Sequence, residues 1–153
     1  MDTFANQQMI LKFLDTPRDE KITEGNRDRV INGLKKLLAG DPDTWWSMYD
    51  PDVVFHEAAC LPYGGAHKGL PAVKAAFDRL SATYSNIHAV FEEILAAGDI
   101  VIAYQTIKAT VKANGNKIEW TVAELFRFRN GKVVEWRAHY FDADLVARAI
   151  KGT

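Results

Sequence analysis

Cysteine is nearly absent from this sequence. Cys60 stands alone, which excludes an intramolecular disulfide and a cysteine-built zinc cluster. Nothing calls for an oxidising compartment, and a cytoplasmic protein is expected. An excess of charge of one sign is missing too: 19 Lys and Arg face 20 Asp and Glu, for a formal net charge of -1. The basic residues are scattered, so neither nucleic acid nor an anionic membrane is an expected partner. At the N-terminus, MDTFANQQMILKFLD has no basic leader region and no apolar run of signal-sequence or bilayer-spanning length. His56, His67, His88 and His139 are widely separated and show no i, i+4 spacing, so no metal centre is expected. Gly64, Gly65 and Gly69 lack the Lys and Ser/Thr of a phosphate-binding loop and read as a turn into a helix.

What is present is the balance of a folded domain. Hydrophobic residues make up 48% of the chain and charged residues 25%, and 153 residues suffice for one domain with one core. We read residues 1–25 as an N-terminal helical extension, 26–142 as the core and 143–153 as a C-terminal helix. Phe4, Met9, Ile10, Phe13 and Leu14 recur at helical spacing, whereas residues 16–25 are polar and read as a linker. A helix is expected over residues 26–39, with Val30, Leu34, Leu37 and Leu38 on its apolar face and Gly40 closing it. Asp41 and Pro42 open a short second helix carrying Trp45, Trp46, Met48 and Tyr49. Adjacent tryptophans cannot share a helix face, so one belongs to the core or a pocket wall and the other is partly exposed. A strand ending at Glu57 follows, then a helix over residues 69–84. From there the pattern turns to strands over residues 87–96, 99–113, 117–129 and 132–141, separated by Ala97-Gly98-Asp99, Asn114-Gly115-Asn116 and Asn130-Gly131. Helices first and an antiparallel meander afterwards give an α+β fold with the helices on one face of the sheet.

Chemistry concentrates where acids meet apolar faces. In VVFHEAACLPYGGAHKG, residues 53–69, His56 and Glu57 are neighbours on a strand, so only one of them faces the interior. We take Glu57 as the inward one; the alternative is a strand-end acid that reaches water, with His56 outside the pocket. On residues 117–129, Trp120, Val122, Glu124, Phe126 and Phe128 share one face, and Arg127 and Arg129 lie on the other. On the last strand Val134, Trp136, Ala138 and Tyr140 share a face. If both aromatic faces line the concave side, Glu124 sits where water is scarce and a protonated acid is favoured. An ion pair with a nearby Arg is the alternative for Glu124, and plain core packing is the alternative for Trp136 and Tyr140.

The segments LLAGDPDTWWSMYDPDVVFHE, LPYGGAHKG, AAGDIVIA and AELFRFRNGKVVEWRAHYFD resemble the SnoaL-like and nuclear-transport-factor-2-like superfamily, which includes ketosteroid isomerases, polyketide cyclases and limonene epoxide hydrolases. The likeness runs over residues 26–142. It implies a cone-shaped, curved antiparallel sheet with helices on its concave side, a cystatin-like α+β barrel. It also implies cofactor-free acid/base chemistry, by an isomerase, cyclase or dehydratase, on an apolar carbonyl-bearing molecule. A non-catalytic binding protein of the same fold is the alternative. By that resemblance Glu57 takes the place of the proton-shuttling carboxylate and Glu124 that of the protonated acid that donates to the developing oxyanion. Tyr49, Tyr63, Trp120, Phe126, Trp136 and Tyr140 become candidate substrate contacts, with Tyr49 and Tyr63 as alternative donors. The chain departs from the family at Gly33, where isomerases carry a tyrosine, a gap that would enlarge the cavity, and at Ala138, where cyclases carry an acid. Homodimers through the outer sheet face are a further implication, and Arg127, Arg137, Leu125 and Phe141 suit such a contact.

Overall fold

The computed structural model describes residues 12–153. The expected helix over residues 4–14 therefore lies outside the described residues, apart from a short 3-10 turn at Lys12–Leu14. The elements run α1 (Glu20–Leu38), α2 (Pro42–Ser47), β1 (Tyr49–Glu57), β2 (Gly65–Lys68), α3 (Leu70–Thr83), β3 (Tyr84–Ala97), β4 (Ile100–Val111), β5 (Lys117–Arg129), β6 (Lys132–Tyr140) and α4 (Ala143–Lys151). The fold is α+β, with one curved, unclosed six-stranded sheet in the order β2-β1-β6-β5-β4-β3.

Helix α1 starts well before the expected boundary, inside the segment read as a linker. Asp19 caps it, its side chain accepting from the Ile22 N–H at 3.0 Å. The first turns then dock on the β3–β4 turn: the Gly98 N–H donates to Thr23 Oγ1 at 2.8 Å, and Asn26 Nδ2 donates to the Gly98 carbonyl at 3.1 Å. Capping and side-chain hydrogen bonds hold this part of the helix where no apolar stripe does, so hydrophobic periodicity does not register it. Helix α2 follows its signals closely, with Asp41 as N-cap and Pro42 at its start. Trp45 is buried, while Trp46 is half-buried beneath the Lys74 ammonium.

The meander β3–β4–β5–β6 forms as expected. Asn130 and Gly131 both adopt positive φ, 52° and 74°, the geometry of a tight hairpin turn whose twist matches the flanking strands. Two features go beyond the expectation. Strand β2 occupies residues that read as a turn, pairing antiparallel with β1. And β1 joins the meander parallel to β6, with Phe55 against Trp136.

One alternation slips. A register irregularity between Arg127 and Phe128 pairs Arg127 with Glu135 but Phe128 with Val133. Val133, not Val134, is consequently buried, so the inward face of β6 is Val133, Trp136, Ala138 and Tyr140. The helices α1, α2 and α3 cover the concave face through Val30, Leu34, Trp45, Val73 and Ala76, packed with Phe126, Val133 and Trp136. Each such large side chain contributes about 2 kcal/mol on leaving water. A second cluster joins Tyr63, Tyr84, Val111, Trp120 and Val122 to Val146 and Ala147 of α4. The two clusters flank a hollow that neither fills.

Candidate active site

That hollow is a cavity of about 200 Å3 whose wall includes both Glu57 and Glu124. Around them stand Trp45, Trp120, Trp136 and Tyr140, and the rim exposes Leu38 and Ile87. Strand β1 ends at Glu57 and delivers it inward, only 8% exposed, while His56 points to the outer face, 3.6 Å from Glu135. Glu57 Oε1 accepts from the Ala58 N–H at 2.7 Å, and Oε2 accepts from the Tyr140 hydroxyl at 3.3 Å. Burial raises its pKa to about 7, against the pull of these two donors.

Glu124 occupies the middle of β5, paired with Ala103 on one side and Ala138 on the other. Two alanines leave its side chain room to reach the cavity, so its remaining accessible surface faces the hollow. Burial, followed by the charge of Glu57, raises its pKa to about 8, while Trp136 and Gln105 pull the other way. The carboxyls titrate as a linked pair, because ionising one makes ionising the other harder. Near neutral pH such a pair retains about one proton, and Glu124, whose pKa is raised further by the Glu57 charge, is its favoured holder.

Of the candidate contacts, Trp120, Trp136 and Tyr140 reach the cavity wall. Tyr49, Tyr63 and Phe126 are buried behind it. Phe126 stacks on Trp136 with centroids 5.7 Å apart, and Tyr49 packs between Trp45 and Trp136. Tyr63 shares a 2.8 Å hydrogen bond with Tyr84, whose ring does face the cavity. Tyr140 stays protonated at all ordinary pH, since burial and then the Glu57 charge raise its pKa. The expectation that Gly33 enlarges the cavity is corrected: a Cβ there would lie 3.1 Å from the Trp45 ring and 3.3 Å from Met48 Sδ. Trp45 fills the space and carries the wall itself.

Among the wall residues missed in the sequence are Tyr84 and Gln105. Tyr84 read as the end of a helix; it begins β3. Gln105 had a usable signal. Val101, Ala103, Ile107, Ala109 and Val111 share its face of β4, making it the lone polar residue of an apolar stripe, as Glu124 is on β5. Among the described residues no three His, Cys, Asp or Glu side chains converge as a metal ion requires.

The model of the SnoaL-like domain matches residues 30–136. The chain belongs to the SnoaL-like domain family. No curated protein matches it. Among solved structures, this SnoaL-like chain is similar to Bal32a from a soil-derived mobile gene cassette, with 28% identity, a TM-score of 0.71, and 82% of this chain and 94% of that one covered. An NTF2-like protein of Burkholderia thailandensis E264 shares 24% identity at a TM-score of 0.75, covering 82% of this chain and 96% of its own. A candidate SnoaL-like polyketide cyclase from Jannaschia sp. CCS1 shares 20% identity at a TM-score of 0.73, covering 90% and 99%. These two likenesses carry the fold alone. No helix among the described residues of this SnoaL-like chain is long and apolar enough to cross a membrane.

Proposed function

We propose that this SnoaL-like protein is an enzyme of cofactor-free acid/base chemistry, an isomerase, cyclase or dehydratase acting on a small, apolar, carbonyl-bearing molecule held in the cone. One observation carries the reading: two carboxyls open into one apolar cavity with pKa values raised to about 7 and about 8. At neutral pH Glu57, ionised, takes a proton from the carbon beside the carbonyl. Glu124, still protonated, donates a hydrogen bond to the oxygen where negative charge develops. Tyr140 holds the Glu57 carboxylate in place through its hydroxyl, and the tryptophans keep water away. Ala138 leaves the position of a cyclase acid empty of chemistry, so both roles fall to Glu57 and Glu124.

Proton exchange tests this. In D2O with a panel of enolisable aryl ketones, the protein is expected to catalyse exchange at the carbon beside the carbonyl, and Glu57→Gln to lower the rate by roughly 10²–10⁴-fold. Exchange indifferent to both Glu57→Gln and Glu124→Gln would remove the site. A non-catalytic binding protein is the second reading, favoured by the two donors that already engage Glu57 and restrain it as a base; ligand binding without exchange would select it. A second copy of the chain is proposed to cover the outer sheet face, where Phe141 is 91% exposed beside the end of β6.

A further inference from the structure

The polar groups of the cavity wall are few, and Gln105 is one that has no role in the reaction above. Gln105 is only 4% exposed, yet it lies on the wall. It projects from β4 on the same face as Ala103, the residue paired with Glu124, and is itself paired with Val122. This places its amide diagonally across one strand interval from the Glu124 carboxyl. A buried primary amide has two donors and an acceptor to satisfy, and leaving them unmade is costly. The register sets that amide beside Glu124, and an N–H donated to the carboxylate would lower the acid's pKa, the direction in which Gln105 acts on it. An Nε2 turned to Glu124 would leave Oε1 for the hollow that Gln105 lines. Trp120, Trp136, Val122 and Ile107 line the same hollow.

We propose that Gln105 and Glu124 form a two-point subsite for a hydroxycarbonyl ligand, whose carbonyl oxygen accepts from protonated Glu124 and whose hydroxyl, one or two carbons away, donates to Gln105 Oε1. The proposal deepens the acid/base reading and rests on it only in requiring Glu124 to be protonated. The amide does two things at once. By donating to one Glu124 oxygen it leaves the acid's proton on the other, facing the ligand. By offering an acceptor beside that proton it selects a ligand with a donor next to its carbonyl, because a plain ketone leaves Oε1 unpaired. Such asymmetry is how a buried polar group discriminates between ligands of the same shape. The size of the hollow sets the rest of the class. A dry cavity of about 150 Å3 admits benzene, so about 200 Å3 takes one ring with a short functional arm, and anything longer must leave past Leu38 and Ile87 at the rim.

The experiment compares three probes on the intact protein at pH 6: acetophenone, α-hydroxyacetophenone and α-methoxyacetophenone. We expect the hydroxy ketone to bind roughly tenfold more tightly than acetophenone, the worth of one well-made buried hydrogen bond. The methoxy ketone, equal in reach but without a donor, is expected to show no gain. In Gln105→Met the hydroxyl preference, read as the ratio of hydroxy ketone to acetophenone affinity, should collapse to about unity. The wild-type comparison needs no variant to fold, and thermal unfolding of Gln105→Met reports whether its collapse is local. Equal binding of all three ketones, a methoxy gain matching the hydroxy gain, absence of binding by every probe, or a preference that survives in a folded Gln105→Met each overturns the subsite. If the preference holds while exchange ignores Glu57→Gln, the acid/base reading falls and the subsite stands.

Discussion

Glu57 and Glu124 are held in a setting that resists their charge, and this has a consequence for stability as well as chemistry. Their folded-state pKa values lie above the value of 4.5 expected of a free glutamate. The stability contributed by the neutral acids is therefore fully present below about pH 4.5, falls as unfolded carboxyls ionise while folded ones do not, and is lost once pH passes about 8. Thermal unfolding followed from pH 4 to pH 9 should show this decline, and Glu124→Gln, which never ionises, should flatten it, with the largest gain in melting temperature at the alkaline end. The same two values shape the rate. Exchange catalysed by the wild-type protein should rise through about pH 7 as Glu57 ionises and fall above about pH 8 as Glu124 loses its proton. A profile flat across that interval would separate the carboxyls from the reaction. Glu124 was legible in the sequence because a strand's period of two isolates a single acid among aromatics. Glu57 was legible only as a choice between two faces, since alternation says that His56 and Glu57 part company but not which goes inward. Gln105 carries the same signature as Glu124 in neutral form, a polar group isolated on an apolar stripe, but a neutral amide costs less to bury than a charge and marks a site less sharply.

At the scale of elements, α1 and α2 are locked through Gly33. The Trp45 ring that occupies the space beside it is pinned by edge-on contacts with Tyr49, Phe126 and Trp136, so it has nowhere to retreat. Gly33→Leu should thus destabilise the protein by about 1–3 kcal/mol, the usual cost of overpacking, as read from a urea unfolding midpoint. The helices and the four-strand meander were readable because each has a local cause: Asp41 and Pro42 at a helix start, Asn130-Gly131 at a hairpin. What escaped has non-local or side-chain causes. The first turns of α1 exist because Thr23 and Asn26 bond to Gly98, a residue far along the chain. The slip that buries Val133 in place of Val134 arises in pairing with β5, and strand alternation taken alone cannot contain it.

The molecule as a whole presents one helix-covered face with a small hollow and one sheet face without helices α1, α2 or α3. On the outer side Glu135 is shared by Arg127, Arg137 and His56, so that patch carries compensated charge, and the Phe141 ring is exposed past the end of β6. If two copies meet there, sedimentation should give a dimer, and Phe141→Glu with Leu125→Arg should shift it to monomer while leaving acetophenone binding in the cavity intact. The parallel seam between β1 and β6 bears on how the chain is made. Phe55 meets Trp136 only after about 80 residues of intervening chain have been produced, and closing so long a loop must await the partner. During synthesis the strand bearing Glu57 therefore emerges well before β6 and stays unpaired on that edge until β6 follows it. The proposed base is made long before the strand that completes its housing.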